Sequence, residues 1–440
     1  MSRIFILGSG AWGTALALSL DRRGGHQVTL WAHSPEEAQR IAAAGENSLF
    51  LPGFPMPPEI EITGDESAAR DAEILLSVVP SEFLRSTIAR FRPHLHPGQI
   101  VVSATKGVED STFLRMTQVI AEALAAPMPQ AGSEREAALR SSPGTASPAG
   151  EEHPALKGRD FSGANDAAGE RRALAPEGRF LDVIPETRQA SSAAPVQSQP
   201  RQEGCGDFTP AVDAAFQSEI GLFSRSKPAP ANPRAIPVGA FSGPSFALEV
   251  AQGQPTAITV AFEDPAVAAR IQQEFCSETL RLYTSTDVIG VELGGALKNV
   301  IAIAAGIAAG IGLGHNSAAG LMTRGIAEIT RLAVACGGRR ETLAGLSGVG
   351  DLVLTCTGSL SRNRTVGEAL GHGRKLPEIL ESLGGKVAEG VRTTRAALGL
   401  ARLHRIEMPI TEQMEQILEN GKDPREAIKD LMLRPGKEEH

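Results

Sequence analysis

The chain has 440 residues, with 43 basic and 51 acidic side chains and a formal net charge of −8 at pH 7. This length allows two or three domains with large cores, and 42% hydrophobic and 21% charged residues are ordinary for a globular protein. The acidic balance argues against a nucleic-acid-binding protein, which normally presents a basic field. An anionic substrate would have to be bound by a few local cations.

The cysteines and the N-terminus favour a cytoplasmic location. The cysteines form no Cys-x-x-Cys pair and no Cys/His spacing typical of a metal site. Free thiols in a reducing compartment account for them most simply, and we expect no metal. The apolar run at residues 4–7 is too short for the core of a signal peptide. The cysteines are Cys205, Cys276, Cys336 and Cys356.

A glycine-rich motif follows the first apolar run. Residues 4–7 read as a buried strand, residues 14–20 have helical spacing, and Gly8, Gly10 and Gly13 lie between them. A G-x-G-x-x-G motif that leaves a strand and opens a helix is typical of a dinucleotide site. Its glycines permit a tight turn and close approach of a pyrophosphate to the helix N-terminus. The motif predicts a Rossmann-type doubly wound α/β domain; the alternative is a glycine-rich turn of no consequence.

The end of the second predicted strand, residues 28–31, bears on the choice of cofactor. An NAD-selective site usually has an acidic residue there for the ribose 2′-hydroxyl. This chain has Ala32 and His33, with Glu36 and Glu37 only later. A histidine tolerates a 2′-phosphate, so we expect NADPH to be used at least as well as NADH. The alternative is a surface histidine without a ligand.

Two further apolar runs fit buried parallel strands, residues 74–79 and 100–104. Both end where the strands of a doubly wound sheet line the ligand crevice. Lys106 follows the second run and is a candidate partner for an anionic group of substrate or cofactor. A solvated loop lysine is the alternative.

The composition changes between residues 127 and 235. The segment is rich in Pro, Ser, Ala, Gly, Gln and Glu and has few extended apolar runs. Such a composition buries too little to offset the entropy of ordering the chain, which predicts a largely disordered low-complexity insertion. Residues 210–223 have one apolar helical face, which suggests a docking helix or, alternatively, a transient helix.

Strand pattern resumes at residues 238–242, and residues 256–260 and 280–284 fit the last strands of the sheet. From there to the end the pattern is helical. We therefore divide the chain into a first, Rossmann-like domain at residues 1–283, interrupted by the insertion, and a second, all-α domain at residues 284–440.

The second domain begins with a long apolar stretch, residues 291–314, which contains one lysine, Lys298. Its charge-free part is shorter than the about 20 residues that a membrane helix needs, so we expect a buried helix and no membrane insertion. Burial lowers a lysine's pKa, as a proton donor or acceptor near neutral pH requires. The alternative is a lysine that snorkels to solvent.

Two more polar clusters interrupt the apolar second half. Asp351 could orient Lys298 and stabilise its charge, or it could cap the helix that follows. Arg362 and Arg364 lie in a loop-like setting and could hold a phosphate with forked hydrogen bonds. Ordinary surface arginines are the alternative.

These segments together resemble bacterial NAD(P)-dependent glycerol-3-phosphate dehydrogenases. The likeness runs from the N-terminus to about residue 126 and from about residue 236 nearly to the end, in the family's order and spacing. Residues 127–235 depart from the family's usual pattern. The matching segments are GSGAWGTALA, VVPS, ATKG, SGPSFA, IGVELGGALKNVIAIAAG, GDLVLTCT, SRNR and VAEGVRTT.

The resemblance implies a role for each matching residue. Lys298 corresponds to the family's catalytic proton donor and acceptor. Ala11 replaces a frequent serine and Ala32-His33 replaces a more basic pair of some members, which weakens the expectation of NADP use. The implied substrate-binding residues are Lys106, Gly243, Ser245, Lys298, Asp351, Ser361, Arg362 and Asn363. The implied cofactor-binding residues are Gly8, Gly10, Ala11, Trp12, Gly13, His33, Lys106, Ala247, Arg362, Val387 and Glu389.

The implied reaction is the reduction of dihydroxyacetone phosphate to sn-glycerol 3-phosphate for phospholipid synthesis. NADPH or NADH supplies the hydride and Lys298 the proton. We expect a small phosphorylated substrate, no nucleic-acid partner, and a homodimer as the candidate assembly. The rival hypotheses are another two-domain dehydrogenase of a phosphorylated or acidic substrate, and a non-catalytic NADPH-sensing protein.

Overall fold

The computed structural model describes residues 1–126, 236–382, 389–436 and 438. Residues 127–235 lie outside this description, and with them the expected insertion and its candidate helix at 210–223. Val387, one of the expected cofactor-binding residues, also lies outside it.

The described part of the N-terminal region is built on one eight-stranded sheet with the order β3-β2-β1-β4-β5-β6-β7-β8. Its strands are β1 (Ser2–Leu7), β2 (His26–Trp31), β3 (Glu61–Thr63), β4 (Ile74–Ser77), β5 (Ile100–Ser103), β6 (Val238–Ser242), β7 (Thr256–Ala261) and β8 (Leu280–Ser285). The strands β1 to β6 are parallel, β7 is antiparallel to β6, and β8 is parallel to β7. The predicted doubly wound sheet is confirmed.

Burial on both faces explains why the central strands were recognisable as apolar runs. Ile4 of β1 lies opposite Ile74 of β4, which lies opposite Ile100 of β5, and all three are buried. Only β3 was not predicted, because it is three residues long and none of them is buried. The strands predicted at 4–7, 28–31, 74–79, 100–104, 238–242, 256–260 and 280–284 are all present.

The order of the strands reverses at β1, whose neighbours are β2 and β4. Ligands bind beyond the carboxyl ends of parallel strands at such a switch point. The glycine motif and Gly243 directly follow β1 and β6, and Lys106 lies three residues beyond the end of β5. The helices that cover the sheet are α1 (Ala11–Arg23), α2 (Pro35–Ala44), α3 (Ser81–Phe91), α4 (Met116–Ala125), α5 (Ala247–Ala251) and α6 (Pro265–Phe275).

The described C-terminal region is helical, as predicted, and surrounds one long helix, α7 (Val288–Ile311). Asp287 begins this helix by accepting a hydrogen bond from Gly290 N at 2.9 Å. The helices that follow α7 are α8 (His315–Ala335), α9 (Arg340–Leu343), α10 (Asp351–Thr357), α11 (Arg362–Gly371), α12 (Leu376–Ser382), α13 (Glu389–His404), α14 (Pro409–Asn420) and α15 (Pro424–Met432).

The glycines of α7 let neighbouring backbones approach it closely. A Cβ at Gly306 would lie 2.0 Å from Arg364 O, and a Cβ at Gly367 of α11 would lie 2.0 Å from Ile303 O. Side chains at these positions would force the two helices apart, so α7 and α11 pack backbone to backbone. This contact places α11 along the C-terminal half of α7.

By length and hydropathy alone, α7 could cross a membrane, since its mean hydropathy is 1.6 over the most apolar window. However, 94% of that window is buried inside the protein. The apolar character of α7 is therefore accounted for by packing within the fold.

A buried carboxylate fixes α7 to the sheet domain. Glu292 Oε1 accepts a hydrogen bond from Thr117 N at 2.7 Å, and its Oε2 accepts from Arg115 Nη1 at 2.5 Å. The carboxylate satisfies a free amide at the start of α4, where a negative charge is favourable. This contact holds the helix that carries Lys298 against α4, which packs with α3 on one face of the sheet.

Candidate active site

The glycine turn between β1 and α1 has the geometry that its sequence predicts. Gly8 has φ 120°, which disfavours any residue with a side chain. A Cβ at Gly13 would lie 1.9 Å from Gly8 O, so this glycine lets the helix pack on the strand. A Cβ at Gly10 would meet nothing within 4 Å, so this side of the turn is open. The open side and the free amides of the first helical turn fit a dinucleotide pyrophosphate.

Ala11, Trp12 and Ala247 pack against the same apolar cluster beneath this turn. Arg22, near the end of α1, donates hydrogen bonds of 2.5 Å to the carbonyl oxygens of Val250 and Ala251. These bonds fasten the C-terminal end of α5 to α1. Ala247, the first residue of α5, is thereby held in the layer that carries the glycine motif.

His33 lies at the other end of the expected cofactor site. It follows β2, is exposed, and presents its ring edge-on to Trp31 with 6.0 Å between ring centroids. The strand β2 is three places from β5, the strand that precedes Lys106, which corresponds to roughly 14 Å at the usual strand spacing of about 4.8 Å. The structure therefore places His33 apart from the lysines described next.

One carboxylate joins the two predicted lysines. Asp351 Oδ1 pairs with Lys298 Nζ, and Asp351 Oδ2 accepts a hydrogen bond from Lys106 Nζ at 2.8 Å. Lys298 also donates to Thr355 Oγ1 at 2.9 Å. Lys298 is 5% exposed and Asp351 1% exposed, so Lys298 does not snorkel to solvent. Asp351 begins α10 without capping it, because its side chain is used by the lysines.

Burial changes the proton affinity of Lys298. Desolvation lowers the pKa of Lys298 to about 8, because the charged ammonium is disfavoured away from water. The charge of Asp351 opposes this shift, whereas the nearby charge of Lys106 adds to it. An amine in this range can donate a proton and accept one near neutral pH.

The loop after β6 completes the site around Lys106. Lys106 Nζ donates to Gly243 O at 3.2 Å, and Ser245 Oγ donates to the same oxygen at 3.0 Å. Gly243 has φ 147°, and a Cβ there would lie 2.9 Å from Ile258 Cα. A glycine is therefore required for the loop to turn over β7 and bring its carbonyl to Lys106.

The polar cluster at residues 361–364 opens the helix α11. The prediction that its arginines lie in a loop-like setting is therefore wrong. Ser361 caps α11 by accepting a hydrogen bond from Arg364 N at 3.2 Å. Arg362 is the first residue of the helix and is exposed. Asn363 Oδ1 accepts from Gly390 N at 3.0 Å, which joins α11 to the start of α13. The cap and this contact fix the position from which Arg362 projects.

Glu389 begins α13 and adds an acidic group to the site. The residue as a whole is exposed, but its carboxylate accepts a hydrogen bond of 3.2 Å from Asn299, which is buried. Desolvation raises the pKa of Glu389, and the charges of Lys106, Lys298 and Arg362 oppose that shift. Lys106, Lys298, Asp351, Asn299 and Glu389 therefore lie together in one polar cluster, whereas His33 lies apart from it.

Thr355 and Asn299 are contact residues that the sequence interpretation did not assign. Thr355 follows Asp351 by four residues on one helix, so the (i, i+4) spacing was a usable signal. Asn299 lies next to Lys298, and no local pattern indicated its contact with Glu389. Long-range pairs of this kind are visible only in the folded chain.

Family models match most of this chain. The family model for the N-terminus of NAD-dependent glycerol-3-phosphate dehydrogenase matches residues 3–132 and 228–268. The model for the C-terminus of the same family matches residues 287–429. This chain belongs to the NAD-dependent glycerol-3-phosphate dehydrogenase family. It is accordingly an NAD(P)-dependent oxidoreductase, and the resemblance stated from its motifs is confirmed.

Individual relatives agree with this assignment. The chain is 46% identical to a glycerol-3-phosphate dehydrogenase [NAD(P)+] of Acidobacterium capsulatum over 443 residues, with 100% of both chains covered. It is 45% identical to the corresponding protein of Koribacter versatilis over 436 residues, covering 99% of this chain and 98% of the relative. The crystal structure of glycerol-3-phosphate dehydrogenase from Coxiella burnetii has a TM-score of 0.70 at 29% identity, with 98% of this chain and 99% of that chain covered.

Proposed function

We propose that this protein reversibly reduces dihydroxyacetone phosphate to sn-glycerol 3-phosphate with NADH or NADPH and thereby supplies glycerophospholipid synthesis. The observation that carries the proposal is the pairing of buried Lys298 with Asp351, which also binds Lys106, a residue at the same carboxyl edge of the sheet as the glycine turn. Membership of the glycerol-3-phosphate dehydrogenase family supports the choice of substrate.

The glycine turn and its neighbours would hold the cofactor. The open side of Gly10 leaves room for the pyrophosphate, and the first-turn amides of α1 point toward it. When bound, the nicotinamide supplies the hydride that is added to the ketone carbon. The other residues assigned to the cofactor are Gly8, Ala11, Trp12, Gly13, His33, Lys106, Ala247, Arg362, Val387 and Glu389.

Lys298 would donate the proton in reduction and accept it in oxidation. In the reductive direction its ammonium stabilises the negative charge that develops on the carbonyl oxygen and then donates a proton to that oxygen. In the oxidative direction the neutral amine removes the same proton from the hydroxyl group. Asp351 keeps the ammonium oriented, and Thr355 holds it from a second side.

The substrate phosphate would be held by the cations and amides at the mouth of the crevice. Within the described residues, the Arg362 side chain has no hydrogen-bond partner, so its guanidinium donors are available for a phosphate. Lys106 adds a second positive charge near Asp351. The remaining residues assigned to substrate are Gly243, Ser245, Lys298, Asp351, Ser361 and Asn363.

The same proposal includes the organisation of the chain. We assign residues 1–283 to cofactor binding and residues 284–440 to substrate binding and catalysis. The change from strand to helix lies a few residues beyond this division, because β8 ends at Ser285 and α7 begins at Val288. A cytoplasmic location, a homodimer and the absence of a nucleic-acid partner complete the proposal.

A steady-state assay at the absorbance of the reduced nicotinamide tests the proposed function. The full-length protein should reduce dihydroxyacetone phosphate with NADH or NADPH and should act far less on unphosphorylated dihydroxyacetone. Lys298→Met should lower kcat by at least ~100-fold, as loss of a proton donor does. Lys106 still neutralises Asp351 in this variant, so cofactor binding measured by nicotinamide fluorescence should stay within a few-fold.

Three outcomes of this assay contradict the proposal. Equal turnover of the phosphorylated and unphosphorylated ketones indicates a different two-domain dehydrogenase. Cofactor binding without any turnover indicates a nucleotide-sensing protein. Undiminished activity of Lys298→Met refutes the assigned role of the lysine.

A further inference from the structure

The end of β2 provides no carboxylate for the adenosine ribose. Ala32 is fully buried and donates its N–H to Thr63 O at 2.9 Å. His33 is exposed and lies edge-on to Trp31. A dinucleotide site normally has an acidic residue at this place to accept the ribose hydroxyls. Another residue must supply that function if the cofactor carries an unmodified ribose.

Glu37 is directed toward the glycine turn. Ser34 caps α2 by accepting a hydrogen bond from Glu37 N at 3.2 Å. In a Ser-x-x-Glu capping box the glutamate side chain returns to the N–H of the cap residue. Glu37 Oε1 instead accepts a hydrogen bond of 2.8 Å from Ser9 Oγ, on the turn between β1 and α1. Its side chain thus connects α2 with the glycine motif.

Ser9 is itself held in place, so this contact has a fixed position. Ser9 lies between Gly8 and Gly10, is 5% exposed, and its carbonyl oxygen accepts a hydrogen bond of 2.6 Å from Asn47 Nδ2. Asn47 also donates to Thr14 Oγ1 at 2.8 Å. The Glu37 carboxylate therefore lies against an anchored turn on the side that faces the end of β2.

Glu37 also retains an acceptor for a ligand. Oε1 is occupied by the Ser9 hydroxyl, whereas Oε2 has no hydrogen-bond donor among residues 1–126, 236–382 and 389–436. The residue is half-buried, so its carboxylate is in reach of a ligand that follows the glycine turn. An ionised carboxylate is acceptor-only and suits a pair of ribose hydroxyls.

We propose that Glu37 binds the hydroxyls of the adenosine ribose and makes this site select NADH over NADPH. The proposal rests on the dehydrogenase function proposed above. A 2′-phosphate carries nearly two negative charges at pH 7 and would meet this carboxylate where NADH presents a neutral hydroxyl. His33 alone favours NADPH, but the anchored negative charge of Glu37 on the same edge of the site opposes that preference.

Binding titrations with a matched pair of variants test the assignment. Glu37→Gln keeps the shape and an acceptor for Ser9 but removes the charge. Glu36→Gln removes the same charge from the adjacent exposed residue. Each protein is titrated with NADH and NADPH by nicotinamide fluorescence, without substrate, at about 0.15 M salt, where long-range charge effects are screened.

The wild-type protein should bind NADH at least tenfold more tightly than NADPH. Glu37→Gln should reduce this ratio of Kd values at least tenfold, chiefly through tighter NADPH binding, and Glu36→Gln should stay within threefold of wild type. Glu37→Ser serves as a second variant should the first be unstable, and it should reduce the ratio as well.

Three results would overturn the proposal: wild-type protein that binds NADPH as tightly as NADH, a Glu37→Gln ratio unchanged from wild type, or an equal shift in Glu36→Gln. Because these titrations contain no ketone, their outcome is independent of turnover. Absence of dihydroxyacetone phosphate reduction with a charge-dependent Kd ratio would contradict the proposed function alone. Turnover with an unchanged ratio would contradict the role of Glu37 alone.

Discussion

The glycine turn and the lysine–aspartate centre are two parts of the proposed site that are built in opposite ways. The turn consists of six consecutive residues, 8–13, with open space beside Gly10. Its backbone, rather than its side chains, is assigned to binding the pyrophosphate. The centre joins Lys106 to Asp351 across 245 positions of sequence and depends on buried charges. The first depends on shape and the second on charge balance, so each should be sensitive to a different kind of substitution.

Each lysine of the centre has a defined place in the charge balance. Asp351 is 1% exposed and binds one lysine with each of its oxygens. Lys106, Lys298 and Arg362 carry three formal positive charges against the carboxylates of Asp351 and Glu389, which leaves a net positive site that suits a phosphorylated substrate. The carboxylate is therefore the element whose loss should be most damaging.

Asp351→Asn should have the largest effect, because it leaves Lys106 and Lys298 close together without their shared anion. The protonated form of Lys298 is the donor in reduction, so wild-type reduction should decline as pH rises through about 8, where its pKa lies. Without the carboxylate that pKa should fall further. We expect the decline to begin at lower pH and kcat at pH 7.5 to drop at least ~100-fold.

Reductive and oxidative pH profiles of kcat measure this effect. Oxidation needs neutral Lys298, so its wild-type rate should rise with pH where reduction declines. Asp423→Asn is a suitable control, because it removes the same charge from an exposed helix cap at which asparagine serves equally well. An Asp351→Asn profile that coincides with the wild-type profile would exclude the proposed balance.

A paired alanine substitution tests the half of the site that depends on shape. Gly10 has φ −64° and ψ 176°, which alanine accepts, and its Cβ would meet no protein atom within 4 Å. Gly10→Ala should leave thermal stability nearly unchanged but weaken NADH binding at least tenfold, because the methyl group fills the space assigned to the pyrophosphate. Gly13→Ala should weaken binding and also lower stability by about 1–3 kcal/mol, because its Cβ overlaps Gly8 O.

Thermal melts and fluorescence titrations of both variants separate these effects. Equal melting temperatures for Gly10→Ala and wild type, with a raised Kd, would support open ligand space at the turn. A stable Gly10→Ala variant with unchanged cofactor affinity would show that the pyrophosphate does not bind there.

The two halves also differ in how far sequence could predict them. The turn was predictable because its glycines are close together in the sequence and are required by the local backbone. Gly8, for example, has φ 120°, which residues with a side chain rarely adopt. The central strands were predictable because burial on both faces makes them continuously apolar. Lys298 was conspicuous because a charge is rare in an apolar helix.

Contacts between distant segments were less accessible to sequence reasoning. The pairing of Asn299 with Glu389 and of Ser9 with Glu37 depends on how helices dock, which no local pattern encodes. The segment at Ser361 was interpreted as loop-like from its polar residues, although its serine is a helix cap. The polar residues that open a helix resemble those of a loop, and only the cap geometry distinguishes them.

Thr355→Val should have the smallest effect and gives the finest test of the charge-based centre. The Thr355 hydroxyl donates to Asp351 O at 2.6 Å and accepts from Lys298 Nζ at 2.9 Å. Valine keeps the volume but removes the acceptor, while Asp351 continues to hold the ammonium. Lys298 loses one of two partners, so we expect kcat for reduction to fall roughly three- to tenfold, which corresponds to a lost hydrogen bond of about 0.6–1.4 kcal/mol.

Thr357→Val is the matched control for this effect. Thr357 lies on the same helix, and its hydroxyl makes the same kind of bond, to Val353 O at 2.8 Å, but it is exposed. Both substitutions remove a hydroxyl that bonds four residues back, so any general effect on the helix is shared. A decrease in kcat confined to Thr355→Val isolates the contact with Lys298, whereas equal decreases would assign the effect to the helix itself.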